Sequence, residues 1–312
     1  VRRMDYSIQI SKLFYERFMN EEEITLISPH MAPGLYEAFG TDEFDDLYLK
    51  YEADKTIPKK KVVAQDLFFD LLKERAETGR IYIMNLDHCN SHSSFKDKVS
   101  MSNLCQEITL PTTPIQDIHD DQGEIALCIL SAVNVGALND LNELENICDL
   151  SVRALEQIID YQDYPVKAAE VSTKARRSLG IGYIGLAHYL AKNNVKYYEK
   201  GAWELVDRLS EAFQYYLLRA SCDIAKEKGK CEGFARTKYA DGQLPIDHYK
   251  KEVDEIVPHK QRMAWESLRK DIAKYGLRHS TLSAQMPSES SSVVSNETNG
   301  IEPPRAMLQI KK

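Results

Sequence analysis

Ile125-Ala-Leu-Cys-Ile-Leu-Ser-Ala-Val-Asn-Val135 is the segment whose reading decides the fold class. Its apolar residues run too continuously for a strand with one face in water, and such a run suits a strand buried on both faces of a parallel sheet or barrel. Asn103–Leu110 reads the same way, and Ile81–Leu86 gives a further strand. Outward from these, the spacing turns helical. Leu67, Phe68, Leu71, Leu72 and Ala76 share one face over Asp66–Thr78, and Gly79 stops the run where a C-terminal cap is expected. Asp140 with Glu143 reads as a capping box that opens a helix carrying Leu141, Leu144, Ile147, Leu155 and Ile158 and ending near Tyr161. The longest predicted helix is Trp203–Lys228, with Val206, Leu209, Phe213, Leu217 and Ile224 on its apolar side and Gly229 at its end. Lys260–Lys274 predicts another helix, stopped by Gly276, and a strand over Leu277–Ala284 leads into the serine-rich Pro287–Ser292. Strands alternate with helices and no repeat recurs at a fixed period, so the chain is predicted to be α/β.

With 312 residues, 43% of them hydrophobic and 28% charged, the chain can bury a large core, and no linker composition divides it; one large unit and two domains both fit. Lys plus Arg number 40 against 48 Asp plus Glu, a net charge of -8 that disfavours a general nucleic-acid surface, so any phosphate must be met locally. The longest apolar stretch, Ile125–Leu138, is broken by Ser131 and Asn134 and is too short to span a bilayer. The opening Val-Arg-Arg-Met-Asp-Tyr-Ser has no signal-peptide pattern, and six cysteines at irregular spacing, with no C-x-x-C pair, point to a reducing cytoplasm. Val1 in place of Met leads to the expectation of a fragment or an alternative start codon.

Five segments could carry chemistry. Gly180-Ile-Gly-Tyr-Ile-Gly185 satisfies G-x-G-x-x-G, but it follows a helical pattern ending at Lys174–Arg177 and not a buried strand; close backbone packing is the preferred reading over dinucleotide binding. Asp87-His88-Cys89-Asn-Ser-His92 offers metal ligands that no second cluster completes, His119 and Asp120 being an isolated pair. In Asn103-Leu-Cys105-Gln-Glu107, strand geometry would place an amide, a thiol and a carboxylate on one face; a buried Cys105 beside a paired surface acid is the bland alternative. Cys128 lies in the next apolar segment, where a buried thiol is usually inert. Pro287-Ser-Glu-Ser-Ser-Ser292 could cradle an anion at a helix N-terminus or serve as a flexible linker.

Taken together, the segments closely resemble the large, catalytic subunit of class I ribonucleoside-diphosphate reductase. The resemblance runs in order through Ser28–Tyr36, Asn85–Asn90, Ser102–Ile108, Gly123–Cys128, Arg176–Gly182, Leu244–Asp247, Gly276–Leu282, Met286–Ser291 and Ser295–Arg305. It implies part of a ten-stranded α/β barrel, built from two parallel five-stranded halves, with a central finger loop carrying a radical cysteine. Residues 1–312 would be that barrel domain, incomplete at both ends.

By the same resemblance Cys105 becomes the thiyl radical, Glu107 accepts the 3′-hydroxyl proton, Asn103 holds the substrate and Cys128 is one of two thiols that close to a disulfide. Asn103, Leu104, Cys105, Gln106 and Glu107 resemble one substrate-binding segment. Pro287, Ser288, Glu289, Ser290 and Ser291 resemble the other, which holds the diphosphate; Ser290 stands where threonine is frequent. The expected partners are a ribonucleoside diphosphate, the remaining parts of the large subunit, a metal-containing small subunit that supplies the radical, and thioredoxin or glutaredoxin as reductant. No cofactor is expected on this chain itself, nor any membrane or direct nucleic-acid contact. Alone, the chain is expected to be inactive and, with unpaired strand edges, poorly soluble. A non-catalytic remnant that only associates with partner chains is the alternative reading.

Overall fold

The computed structural model describes residues 4–257 and 260–307. The chain forms two compact units, Val1–Ser93 with Lys98–Thr109, and Ser94–Asp97 with Leu110–Lys312. In the first, β1 (Tyr6–Ile10) is followed by α1 (Lys12–Met19), β2 (Glu23–Ile27), α2 (Leu35–Ala38), α3 (Phe44–Ala53), β3 (Lys59–Val63), α4 (Ala64–Thr78), β4 (Ile81–Asn85) and α5 (Leu86–His92). β1 and β4 pair in parallel from Tyr6↔Ile81 to Ile10↔Asn85, while β2 and β3 pair antiparallel. Ser11 opens α1 by accepting a hydrogen bond from the Phe14 amide at 3.3 Å. The expected stop of α4 is present: Gly79 takes φ 67°, a left-handed conformation that a residue without a Cβ reaches cheaply. Leu13, Ile24, Leu35, Phe44, Tyr48 and Ala64 form this unit's main core.

The second unit holds β5 (Ile129–Asn134), α6 (Glu143–Tyr161), α7 (Lys167–Arg176), β6 (Leu179–Ile184), α8 (Leu186–Lys192), α9 (Lys200–Lys228), α10 (Pro245–His248), α11 (Trp265–Tyr275) and α12 (Glu289–Val294). β5 and β6 are parallel, joined by the α6–α7 crossover, and β6 takes a second neighbour through the parallel bridge Ile181↔Ser283. Helices and parallel strands thus give the α/β class expected of barrel segments. α6 and α9 bring Leu144, Cys148, Val152, Leu209, Leu217 and Leu218 into the large core around the fully buried β6 residues Leu179 and Ile181.

Several sequence expectations change in detail. β5 begins only at Ile129, and it is not covered on both faces, since Leu130 is 44% exposed. Asn103–Leu110 is not a strand; the antiparallel bridge Ser102↔Thr109 closes it into a turn. Asp140 and Glu143 make no capping box, because the Asp140 carboxylate accepts from the Asn142 amide at 2.8 Å in a turn and the helix starts at Glu143. α11 starts at Trp265, five residues later than expected from Lys260. Gly180 and Gly182 lie inside a buried strand that the sequence pattern did not show, and Gly185 (φ 82°) opens α8.

That last correction leaves the preferred reading of the glycines in place. A dinucleotide fingerprint needs its glycines in the turn between strand and helix, whereas here two of them are strand residues pressed by neighbours. A Cβ on Gly182 would stand 2.5 Å from the Ala284 carbonyl oxygen, and one on Gly180 would stand 2.7 Å from the Cys128 sulfur. The turn at Gly185 is filled by the Glu297 side chain, whose Cγ would meet a Cβ at 2.8 Å.

A buried charge cluster fixes β6 and the 277–284 stretch. Arg177 ends α7 at φ 49°, an uncommon conformation for a side-chain-bearing residue, and its guanidinium pairs with Glu156 at 2.7 Å and Asp160 at 2.9 Å. Glu156, only 1% exposed, also accepts from Arg278 at 2.8 Å and His279 at 3.1 Å. Burial alone would raise the Glu156 pKa, but the His279, Arg177 and Arg278 donors hold it down at about 2. Burial pushes His279 the other way, below the ordinary imidazole range, only partly offset by Glu156. The His279 amide donates to Ser221 Oγ at 3.1 Å and the hydroxyl lies 2.9 Å from Nδ1, so the neutral ring carries its proton on Nε2, toward Glu156.

Candidate active site

In the first unit, Asn103–Glu107 forms the tip of a hairpin-like loop. The Gln106 amide donates to the Asn103 carbonyl at 3.1 Å, Gln106 adopts φ 58°, and the Ser102 hydroxyl donates to the Ile108 carbonyl at 2.6 Å. The Gln106 side-chain amide donates to Ser7 Oγ on β1, tying the tip to its own unit. Cys105 and Leu104 are exposed at the tip, so the bland reading of a buried cysteine fails. Glu107 differs from its neighbours: its Oε2 is buried and has no hydrogen-bond partner among the described residues. A buried carboxylate oxygen without a donor is costly, and at a loop tip two residues from a free thiol it is a group able to accept a proton.

In the second unit, Cys128 is half-buried immediately before β5, with its sulfur 3.8 Å from the Ile129 carbonyl oxygen. Gly180 makes its room, since any larger residue there would collide with the sulfur. The serine segment is a helix entry and not a linker. Ser288 precedes α12 and is 3% exposed, and the first intrahelical bond runs from the Ser292 amide to the Ser288 carbonyl at 2.8 Å. The amides of Glu289, Ser290 and Ser291 therefore belong to the first turn, where backbone N–H groups point out along the axis. Ser290 and Ser291 are exposed, and a cavity of about 430 Å³ opens beside Pro287, Ser288 and Glu289, lined also by Thr298, Asn299 and Arg305.

Two residues with no expected role brace this segment. Asn299 Oδ1 accepts from Ser288 Oγ at 3.3 Å and Ser292 Oγ at 3.5 Å. Glu297 lies over Gly136 and Gly185 and pairs with His188 at 3.0 Å. Burial opposes its charge, but hydrogen bonds from His188 and the Thr298 amide hold the carboxyl below its usual range. Both residues lie in Ser295–Arg305; a run of polar residues before Gly300 was the available signal, but the bracing contacts are set by tertiary structure.

The Asp87–His92 cluster is one short helix, α5, in which the His88 and His92 rings meet edge-on at 5.9 Å. Among the described residues no three His, Cys, Asp or Glu side chains gather as a metal site, and no helix is long and apolar enough to cross a membrane.

The chain matches the family model of the ribonucleotide reductase barrel domain over residues 1–312. It is 57% identical over 316 residues to the ribonucleoside-diphosphate reductase subunit alpha of Haemophilus influenzae, covering 100% of this chain and 42% of that protein. It is 54% identical over 316 residues to ribonucleoside-diphosphate reductase 1 subunit alpha of Escherichia coli, and 42% identical over 320 residues to the subunit alpha of Enterobacteria phage T4; each match covers 100% of this chain and 42% of the relative. The chain thus spans about two-fifths of the length of these relatives. With its whole length matched by that model, the chain belongs to the ribonucleotide reductase barrel-domain family.

Proposed function

We propose that this chain supplies the radical-bearing part of a ribonucleoside-diphosphate reductase active site, working in DNA precursor synthesis in the cytoplasm. The observation that carries this reading is the loop tip at 103–107, where an exposed Cys105 thiol stands two residues from a buried Glu107 oxygen that has no hydrogen-bond partner among the described residues. A thiyl radical at Cys105 takes the 3′ hydrogen atom from the ribose, Glu107 accepts the 3′-hydroxyl proton, and Asn103 holds the substrate by hydrogen bonding. The 2′-hydroxyl leaves as water. Two electrons come from a pair of thiols, Cys128 being one, that closes to a disulfide, and Cys105 then returns the hydrogen atom to C3′. The net change is one ribonucleoside diphosphate and two thiols to one deoxyribonucleoside diphosphate, water and a disulfide.

Pro287, Ser288, Glu289, Ser290 and Ser291 supply the hydroxyls and first-turn amides that hold the diphosphate, with Leu104 and Gln106 shaping the other substrate contact. The radical comes from a metal-containing small subunit and the disulfide is reopened by thioredoxin or glutaredoxin; the chain needs no cofactor of its own. The test is Cys105→Ser in an enzyme reconstituted from this chain, the remaining parts of a large subunit and a radical-generating small subunit. Turnover is expected to vanish while substrate binding persists. Unchanged turnover would overturn the radical assignment, and loss of both would return Cys105 to a structural role.

A further inference from the structure

A cavity of about 630 Å³, separate from the serine segment, lies in the second unit between α8, α9, α10 and the start of α11. Its wall is mainly apolar, with Leu186, Leu190, Val206 and Ile246, and four aromatic residues, Tyr197, Trp203, Tyr249 and Trp265, contribute to it. Three carboxylates, Asp207, Glu211 and Asp254, join Ser210 and Gln214 in the polar part, and among the described residues no Lys or Arg lines it.

Most of the polar groups are already engaged. Asp207 pairs with Arg262 at 2.7 Å. Glu211 Oε1 accepts from the Arg262 amide at 2.7 Å and from Trp265 Nε1 at 3.0 Å. Gln214 accepts from the Ser283 hydroxyl at 2.7 Å, and the Tyr183 and Ser210 hydroxyls lie 3.2 Å apart. Asp254 is different. Its Oδ2 accepts from the Tyr249 hydroxyl at 2.7 Å, but its Oδ1 is buried with no hydrogen-bond partner among the described residues.

An unmatched buried carboxylate oxygen in an aromatic wall defines a ligand by elimination. An anion would meet the Asp254 carboxylate, while Arg262, the base that reaches Asp207 and Glu211, is already paired with both. A pure hydrocarbon would fill the space but leave the oxygen without a donor. A cation with an N–H satisfies the oxygen and is attracted by aromatic faces, while an apolar body occupies the rest. We propose that this cavity binds a small amphipathic organic cation, an apolar or aromatic body bearing a protonated amine whose N–H donates to Asp254 Oδ1.

The chain's 2 tryptophans both line the cavity, so intrinsic fluorescence reports on it directly. The full chain is titrated with three probes of nearly one shape: 2-phenylethylammonium, neutral 2-phenylethanol and anionic 3-phenylpropionate. The ammonium is expected to change the fluorescence saturably and to bind about tenfold or more tightly than the alcohol, with the carboxylate weaker still. Asp254→Asn, checked for an unchanged melting temperature, is expected to erase the preference for the ammonium. Equal binding of the three probes would overturn the assignment, as would retained preference in D254N or no fluorescence change up to about 10 mM, the weak limit for a fragment of this size.

Discussion

Replacing Glu156 by Gln removes one charge from the centre of the buried cluster while nearly preserving volume. Arg177 keeps Asp160 at 2.9 Å and Arg278 keeps the Gly229 carbonyl at 3.3 Å, but both guanidiniums lose the carboxylate they share. Two routes give the magnitude. A carboxyl held at about 2 in the fold, against an ordinary 4.5, corresponds to about 3 kcal/mol of stability at neutral pH. Breaking a buried ion pair by removing one partner costs about 3–5 kcal/mol, in the same range. The sign follows from the depressed folded pKa. The contribution is fully present above about 4.5, and it disappears as pH falls toward about 2. Urea unfolding of both proteins at pH 7, 5, 4 and 3 is the assay. A difference of about 3 kcal/mol is expected at pH 7 and 5 and should shrink below that. A variant within about 0.5 kcal/mol at pH 7, or a gap that does not change down to pH 3, would falsify the assignment of Glu156 as the ionised centre. The parent should also lose stability as pH drops below the ordinary imidazole range, because unfolding frees His279 to take a proton that its buried site disfavours.

Other substitutions test other parts of the frame. Gly182→Ala puts a Cβ 2.5 Å from the Ala284 carbonyl oxygen and is expected to cost about 1–3 kcal/mol and to expose amides of 281–286 to hydrogen exchange. Gly79→Ala, where nothing stands within 4 Å, is the control for left-handed backbone cost alone, and a Gly182 effect no larger than this one would sink the packing argument. Arg176→Met leaves Asp97 and Glu124 with Arg236 as their remaining cation in that cluster. A loss of about 3 kcal/mol or more by calorimetry is expected, and less than about 1 kcal/mol would show that the 2% exposed guanidinium contributes little.

Helices were legible wherever an apolar stripe ended at glycine, as in α4, α9 and α11, because both signals are local. Strands were less so. Five residues from Asn103 to Glu107 fit period two on paper, but the left-handed Gln106 and the bond back to Asn103 bend them into a turn that no alternation encodes. Leu179–Ile184 failed in the opposite sense. Its glycines hid the strand because the side chains that fill their places, Cys128, Ala284 and Met286, come from elsewhere in the chain. The Cys105 loop tip and the serine segment were found by their unusual chemistry, whereas Asn299, Glu297 and the Asp254 cavity exist only once distant segments meet.

Parallel pairing with a late segment also sets an order of assembly. Tyr183 finds Gln285 across 102 positions of sequence, so β6 is made long before the stretch that packs on its glycines. At about 5–20 residues per second of synthesis, that side of the strand waits roughly 5–20 s for its cover. During the wait Leu179, Ile181 and Ile184 form a strand-prone run whose open edge can pair with another nascent copy. The speed of translation between Gly185 and Ser283 is therefore expected to govern yield more strongly than the stability of the finished fold.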